Sequence, residues 1–119
     1  MTLRLRSAAV SDLGLIRSNN EDAAFAGQRV FAVADGIGGA PAGEVASDIV
    51  IRALQALEDA QAALRAALAE ANRQIGAATE ADPGRQGMGT TVTALLVAGD
   101  QFALVHVGDS RGTCCAAVP

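Results

Sequence analysis

The chain has 119 residues and a formal net charge of −4; half of it is apolar, yet it has no Trp or Tyr and only three Phe. That length suits one compact domain, able to bury roughly two-thirds of the surface its unfolded form exposes around an aliphatic, alanine-filled core. The acidic balance and the lack of any lysine cluster argue against a nucleic-acid or anionic-membrane surface.

All nine basic residues are arginine, which beside so much Ala and Gly reads as a coding bias. The start, MTLRLRSAAV, has no apolar signal core, and no apolar run approaches the ~18 residues of a spanning helix, so a soluble, cytoplasmic protein is expected. Cys114 and Cys115 are sequence neighbours, too strained for an ordinary disulfide and without the companions of a zinc site.

In chain order, Leu3 and Leu5 alternate with Arg4 and Arg6, the period of a half-buried strand. SDLGLIRSNNED (11–22) breaks that pattern and reads as an irregular connection. DAAFA and RVFAVAD, separated by Gly27 and Gln28, predict a hairpin over 22–35. Val45, Ile49, Ala53, Leu54 and Leu57 then fall on one helical stripe, with Pro41 near the helix start. A second helix follows Asp59, a candidate N-cap, with Leu64, Ala67, Leu68, Ala71 and Ile75 facing inward, and ends before EADPGRQG (80–87). TTVTALLV (90–97) and QFALVHV (101–107), joined through AGDQ, predict another hairpin, with apolar groups on both faces and hence cover on both sides. Strands, two helices and strands again favour an α+β layer fold with antiparallel sheet over a βαβ dinucleotide fold.

The chemistry concentrates where these elements end. Glu21 and Asp22 stand just before or at the start of one strand and Asp35 at the end of its hairpin partner, so a short hairpin folds the three acids toward each other. Like charges brought together hold either a proton or a cation. With oxygen ligands only, the hard ions Mg²⁺ and Mn²⁺ are the candidates. Gly36 can turn its carbonyl toward an ion bound by Asp35, and Gly38 and Gly39 allow close passage of a substrate. Taken alone, DGIGG (35–39) reads first as a loop leading into a helix; it is neither a P-loop nor a dinucleotide turn. His106, in phase with Phe102 and Leu104, reads as a hydrogen-bonded structural residue, and Glu44, Asp48 and Arg111 as surface groups.

Four motifs occur together: RSNNED (17–22), VADGIGGAPAGEVAS (33–47), GMGTTVTALLV (87–97) and HVGDSRG (106–112). In this order and spacing they resemble the PPM-type metal-dependent protein phosphatases, the protein phosphatase 2C family, and most closely its bacterial members. The resemblance covers most of the chain but only about the first half of a catalytic domain. It implies a four-layer α-β-β-α sandwich of antiparallel sheets flanked by helices, present here as roughly its N-terminal half. On this reading residues 1–119 are a partial domain, matched over 1–111 and followed by a divergent tail, 112–119.

The implied activity is hydrolysis of phosphoserine and phosphothreonine in proteins by a water bridging two Mn²⁺ or Mg²⁺ ions. Asp35 matches the bridging aspartate, Gly36 the carbonyl ligand, and Glu21 and Asp22 the acidic pair that holds one ion directly or through water. Arg17 matches the arginine that grips the substrate phosphate. Asp109 resembles a residue bracing the acidic cluster, and Thr90 and Thr91 support backbone beside it. Ile37 stands where some relatives outside bacteria carry a histidine thought to protonate the leaving group, so water or the substrate would supply that proton. The implied partners are phosphorylated proteins, among them substrates of a serine/threonine kinase.

After GDSR the chain departs from the family's pattern, running GTCCAAVP where an aromatic strand, an acidic segment and later two metal-binding aspartates are expected. The two-metal centre is then incomplete, the chain alone is expected to be inactive, and a truncated or frameshifted reading is implied. The alternatives are a non-catalytic module that binds phosphoprotein, or an inert fragment.

Overall fold

A computed structural model of the chain describes residues 5–16, 18–37, 42–58, 64–109 and 112. Four strands, β1 (Asp22–Ala26), β2 (Val30–Asp35), β3 (Val92–Ala98) and β4 (Gln101–Val107), form one antiparallel sheet in the order β1-β2-β3-β4. Two helices, α1 (Gly43–Gln55) and α2 (Leu64–Ala81), lie in the chain between β2 and β3. The α+β class with antiparallel sheet is as the element order predicts.

Each hairpin follows from its sequence. Gly27 donates its N–H to the Val30 carbonyl at 2.9 Å, closing the β1–β2 turn. Gly99, at φ 64°, supplies the left-handed residue of the tight β3–β4 turn, which pairs Ala98 with Gln101. The core forms on one face of the sheet, where Val30, Ala32 and Ala34 of β2 and Val92 and Ala94 of β3 meet Val50, Ile51 and Leu54 of α1. Ala71 of α2 is buried in the same cluster, with Leu64, Ala67, Leu68 and Ile75 packed against it, as the leucine and alanine spacing predicts.

Three expectations need correction. The stripe on α1 is rotated from the one read in the sequence: Ala46, Ser47, Val50, Ile51 and Leu54 are buried, while Val45, Ile49 and Ala53 are half-buried. The helix touches both the sheet and α2, so its apolar arc is wider than a single stripe and its centre lies on the sheet side. Second, residues 5–8 form no strand, and Leu5 is 47% exposed. Alternation alone is insufficient without a partner for the backbone groups, and none of the four strands pairs with this segment. Third, β4 is not covered on both sides among the described residues, for Phe102 and Leu104 are 66% and 61% exposed, whereas β3 is buried on both faces at Val92 and Ala94 and at Thr93 and Val97. The positions of Arg4, Pro41 and Asp59 lie outside the described residues.

Candidate metal and phosphate site

The β1–β2 register sets the site. Asp22 is the direct cross-strand partner of Asp35. Gly36 donates its N–H to the Glu21 carbonyl at 3.1 Å, and Gly27 does the same to Val30 at the other end. Alternation along the ladder then makes Asp22 and Asp35 a non-hydrogen-bonded pair, the close type, with Cα atoms about 4.5 Å apart and side chains on one face.

Backbone groups left out of that ladder are satisfied locally. The Asp22 N–H donates to Asn20 Oδ1 at 3.0 Å, and Asn20 Nδ2 donates to Ser11 Oγ at 2.9 Å, tying the acidic end of β1 to the preceding loop. The Asp35 N–H donates to Thr91 Oγ1 at 3.1 Å while the Thr91 N–H donates to the Asp35 carbonyl at 2.8 Å. Thr90 Oγ1 donates to the Thr91 carbonyl at 2.8 Å, so both threonines hold backbone beside the site, as expected of GMGTT.

The strand end meets the start of α1 through glycine. A Cβ at Gly36 would lie 2.5 Å from the Gly43 carbonyl oxygen, so no other residue fits without displacing the helix. Ala42 takes a left-handed φ of 58° directly before Gly43, a conformation that costs a non-glycine residue about 1–2 kcal/mol. The buried Ser47 hydroxyl lies 2.7 Å from the Glu21 carbonyl and 3.2 Å from that of Glu44, fixing α1 against the chain entering β1. Glu21 itself is half-buried, its carboxylate against Gly43 in the first turn of α1, where the helix dipole favours negative charge.

Around this junction lies a pocket of about 460 Å³, whose walls include Glu21, Asp22, Asp35, Gly36, Ile37 and Asp109. Five of the six residues singled out from the sequence therefore share one pocket; the sixth, Arg17, lies outside the described residues, as do Gly38 and Gly39. Asp22 and Asp35 form the tight pair, with Glu21 turned toward α1. Among the described residues, no three Asp, Glu, His or Cys side chains group closely enough to hold a metal ion together. The available donors are oxygen throughout, a set that fits a hard cation retaining much of its water.

Other lining residues carried little signal in the sequence. Asp12, Leu13, Asn19 and Asn20, which precede β1, also line the pocket. Asn19 Nδ2 donates to Glu44 Oε2 at 3.2 Å, giving Glu44 a surface contact in place of chemistry. The paired asparagines before the acids were the only local hint, since Asn side chains bond neighbouring backbone. His106 Nδ1 hydrogen-bonds Thr93 Oγ1 at 2.7 Å, the structural role expected of it, and Asp48 pairs with Arg52 on the exposed side of α1.

Comparisons with known proteins identify the family. A family model for protein phosphatase 2C matches residues 17–116. The serine/threonine protein phosphatase PstP of Mycobacterium tuberculosis is 53% identical over 118 residues, covering 94% of this chain and 23% of PstP. The serine/threonine phosphatase stp of Listeria monocytogenes is 37% identical, covering 86% of this chain and 46% of that protein. A crystal structure of the PstP catalytic domain in complex with two manganese ions superposes with a TM-score of 0.84 at 52% identity, over 91% of this chain and 50% of that one. Stp1 from Staphylococcus aureus gives 0.75 at 30% identity, over 86% and 46%. The chain thus spans about half of the solved catalytic domains it matches. With the ordered motifs, the opposed aspartates and these relatives in agreement, the chain belongs to the protein phosphatase 2C family.

Proposed function

We propose that this chain supplies the acidic hairpin end and part of the substrate pocket of a protein-serine/threonine phosphatase acting on phosphoserine and phosphothreonine. Residues 1–119 are read as a partial catalytic domain with a divergent tail at 112–119. The observation that carries this is the pairing of Asp22 with Asp35 at the wall of a pocket shared with Glu21, the Gly36 backbone and Asp109.

Asp22, Asp35, Glu21 and the Gly36 carbonyl are the groups that would hold two Mn²⁺ or Mg²⁺ ions. Ions bound there supply Lewis-acid chemistry, neutralising phosphate charge and making a water acidic enough to attack near neutral pH. The chain's own residues do the positioning. Thr91 clamps the Asp35 backbone from both sides, and Gly36 keeps the strand end in contact with α1. Arg17 would grip the substrate phosphate with its planar fork, and Asp109 would brace the cluster. Ile37, next along the wall, carries no titratable group, so the departing serine or threonine oxygen would take its proton from water or from the substrate itself. The substrates are phosphorylated proteins, including those modified by a serine/threonine kinase, and the setting is the cytoplasm. No described helix is long and apolar enough to cross a membrane.

Calorimetric titration of Mn²⁺ into the wild-type chain and Asp35→Asn tests the seat. Loss of an outer-sphere partner alone weakens metal sites 10–100-fold, so loss of Asp35 should weaken binding by at least about 100-fold. Equal affinity for both proteins defeats the assignment. A second reading is a module that binds phosphoprotein without turnover. Phosphate release from a phosphothreonine peptide in Mn²⁺ supports the enzyme; peptide and metal binding without release supports the module.

A further inference from the structure

We infer that Glu58, at the opposite end of the hairpin from the acids, is a positioning residue that fixes the register in which Asp22 and Asp35 face each other. Glu58 ends a short 3-10 turn (Ala56–Glu58) that follows α1. Its carboxylate accepts three consecutive backbone N–H groups of the β1–β2 turn. Oε1 takes those of Gln28 at 2.6 Å and Arg29 at 2.7 Å, and Oε2 that of Val30 at 2.9 Å. A Cβ at Gly27 would run into this carboxylate, so glycine is required there for the clamp to form.

The side chains of β1 specify its register poorly. The strand reads Asp-Ala-Ala-Phe-Ala, with Phe25 its only large apolar group. A slip of one residue along β2 would turn Phe25 from the core to the open face, which burial resists. A slip of two keeps Phe25 on the core face but moves it out of its place opposite Ala32, so the inside-outside pattern does not exclude it and only the fit of one ring opposes it. Such a slip carries Asp22 about 7 Å along β2 and away from Asp35. It also requires the turn to change length, and the turn is what Glu58 holds. Three N–H donors aimed at one carboxylate fit the short loop between Ala26 and Val30; a longer loop would break the set. At the acid end the Glu21 carbonyl accepts from the Gly36 N–H and the Ser47 hydroxyl, so the hairpin is anchored at both ends, and Glu58 is the anchor at the turn.

The effect on metal binding rests on the reading of Asp22 and Asp35 as the metal seat; the effect on register does not. The test uses the 119-residue chain carrying Glu58→Gln, which keeps the side chain's shape but sets an amide N–H₂ against a backbone donor, and Glu58→Ala. By NMR, the Asp22–Asp35 Hα–Hα contact should weaken, and amide exchange in β1 and β2 should rise at least about tenfold while β3–β4 exchange stays at the wild-type rate. Mn²⁺ affinity should fall about tenfold or more, with acetate partly restoring both readouts in Glu58→Ala. Should Glu58→Ala fail to fold, Glu58→Gln carries the test. An intact Hα–Hα contact in the variants overturns the inference, whatever the metal affinity does; wild-type Mn²⁺ affinity despite a lost contact upholds the register role and overturns the reading of Asp22 and Asp35 as the metal seat. If the wild-type chain does not bind Mn²⁺, the metal reading falls, and the NMR contact and exchange rates alone decide the role of Glu58.

Discussion

The two faces of the sheet are made by the same four strands but have opposite fates. On one, Val30 and Leu54 are fully buried and Ala34 and Ala94 nearly so, closed in by α1 with α2 behind it. On the other, Val33 is 48% exposed and Leu104 61%, and the Asp22–Asp35 pair emerges at one end. Small residues on the covered face let a helix approach closely; large apolar residues on the other await a second layer, the place of the second sheet in the family architecture. Stability therefore resides on one face and chemistry begins on the other.

Substitutions can break or sharpen that contrast. The largest effect should come from Leu54→Ala, which removes a fully buried side chain between α1 and the sheet and should cost about 2–5 kcal/mol in denaturant unfolding. Leu104→Ala, the same chemical change on the open face, should stay within about 0.5 kcal/mol. Comparable losses at both positions would mean that the open face is covered in solution. The smallest effect lies on the outer surface of α2. There hydrogen bonds from Arg73, then Gln74, hold the Glu70 carboxyl down at about 2 from its ordinary 4.5. A depressed carboxylate contributes stability that is complete above the unfolded value and lost as pH falls toward the folded one. Helicity followed by circular dichroism should therefore decline slightly between pH 4.5 and 2, and Glu70→Gln should remove that component. Both groups are fully exposed, so solvent screening keeps the effect small.

How much of this was legible in the sequence varies by element. Asp35 followed by glycine was readable because an acid at a strand end and a residue without a side chain are both unusual there. The two hairpins and α2 were readable from turn residues and leucine spacing, which are local signals. Glu58 was not: an acid at the end of a surface helix looks solvated, and its partners lie 28 to 30 residues away. The phase of α1 was missed for a similar reason, since a helix packed on two neighbours has two apolar edges and the sequence does not rank them. The glycine at 36 was expected to free a carbonyl, whereas the structure gives it a second duty as the point of contact with Gly43.

That contact has a mechanical meaning. Where main chain rests directly on main chain there is no compressible cushion of methyl groups, so a tilt of the α1 amino terminus must drag the oxygen-bearing edge of β2 with it. A ligand pressing on the exposed side of that helix would be felt at the aspartates as displacement, undamped by any rotamer change.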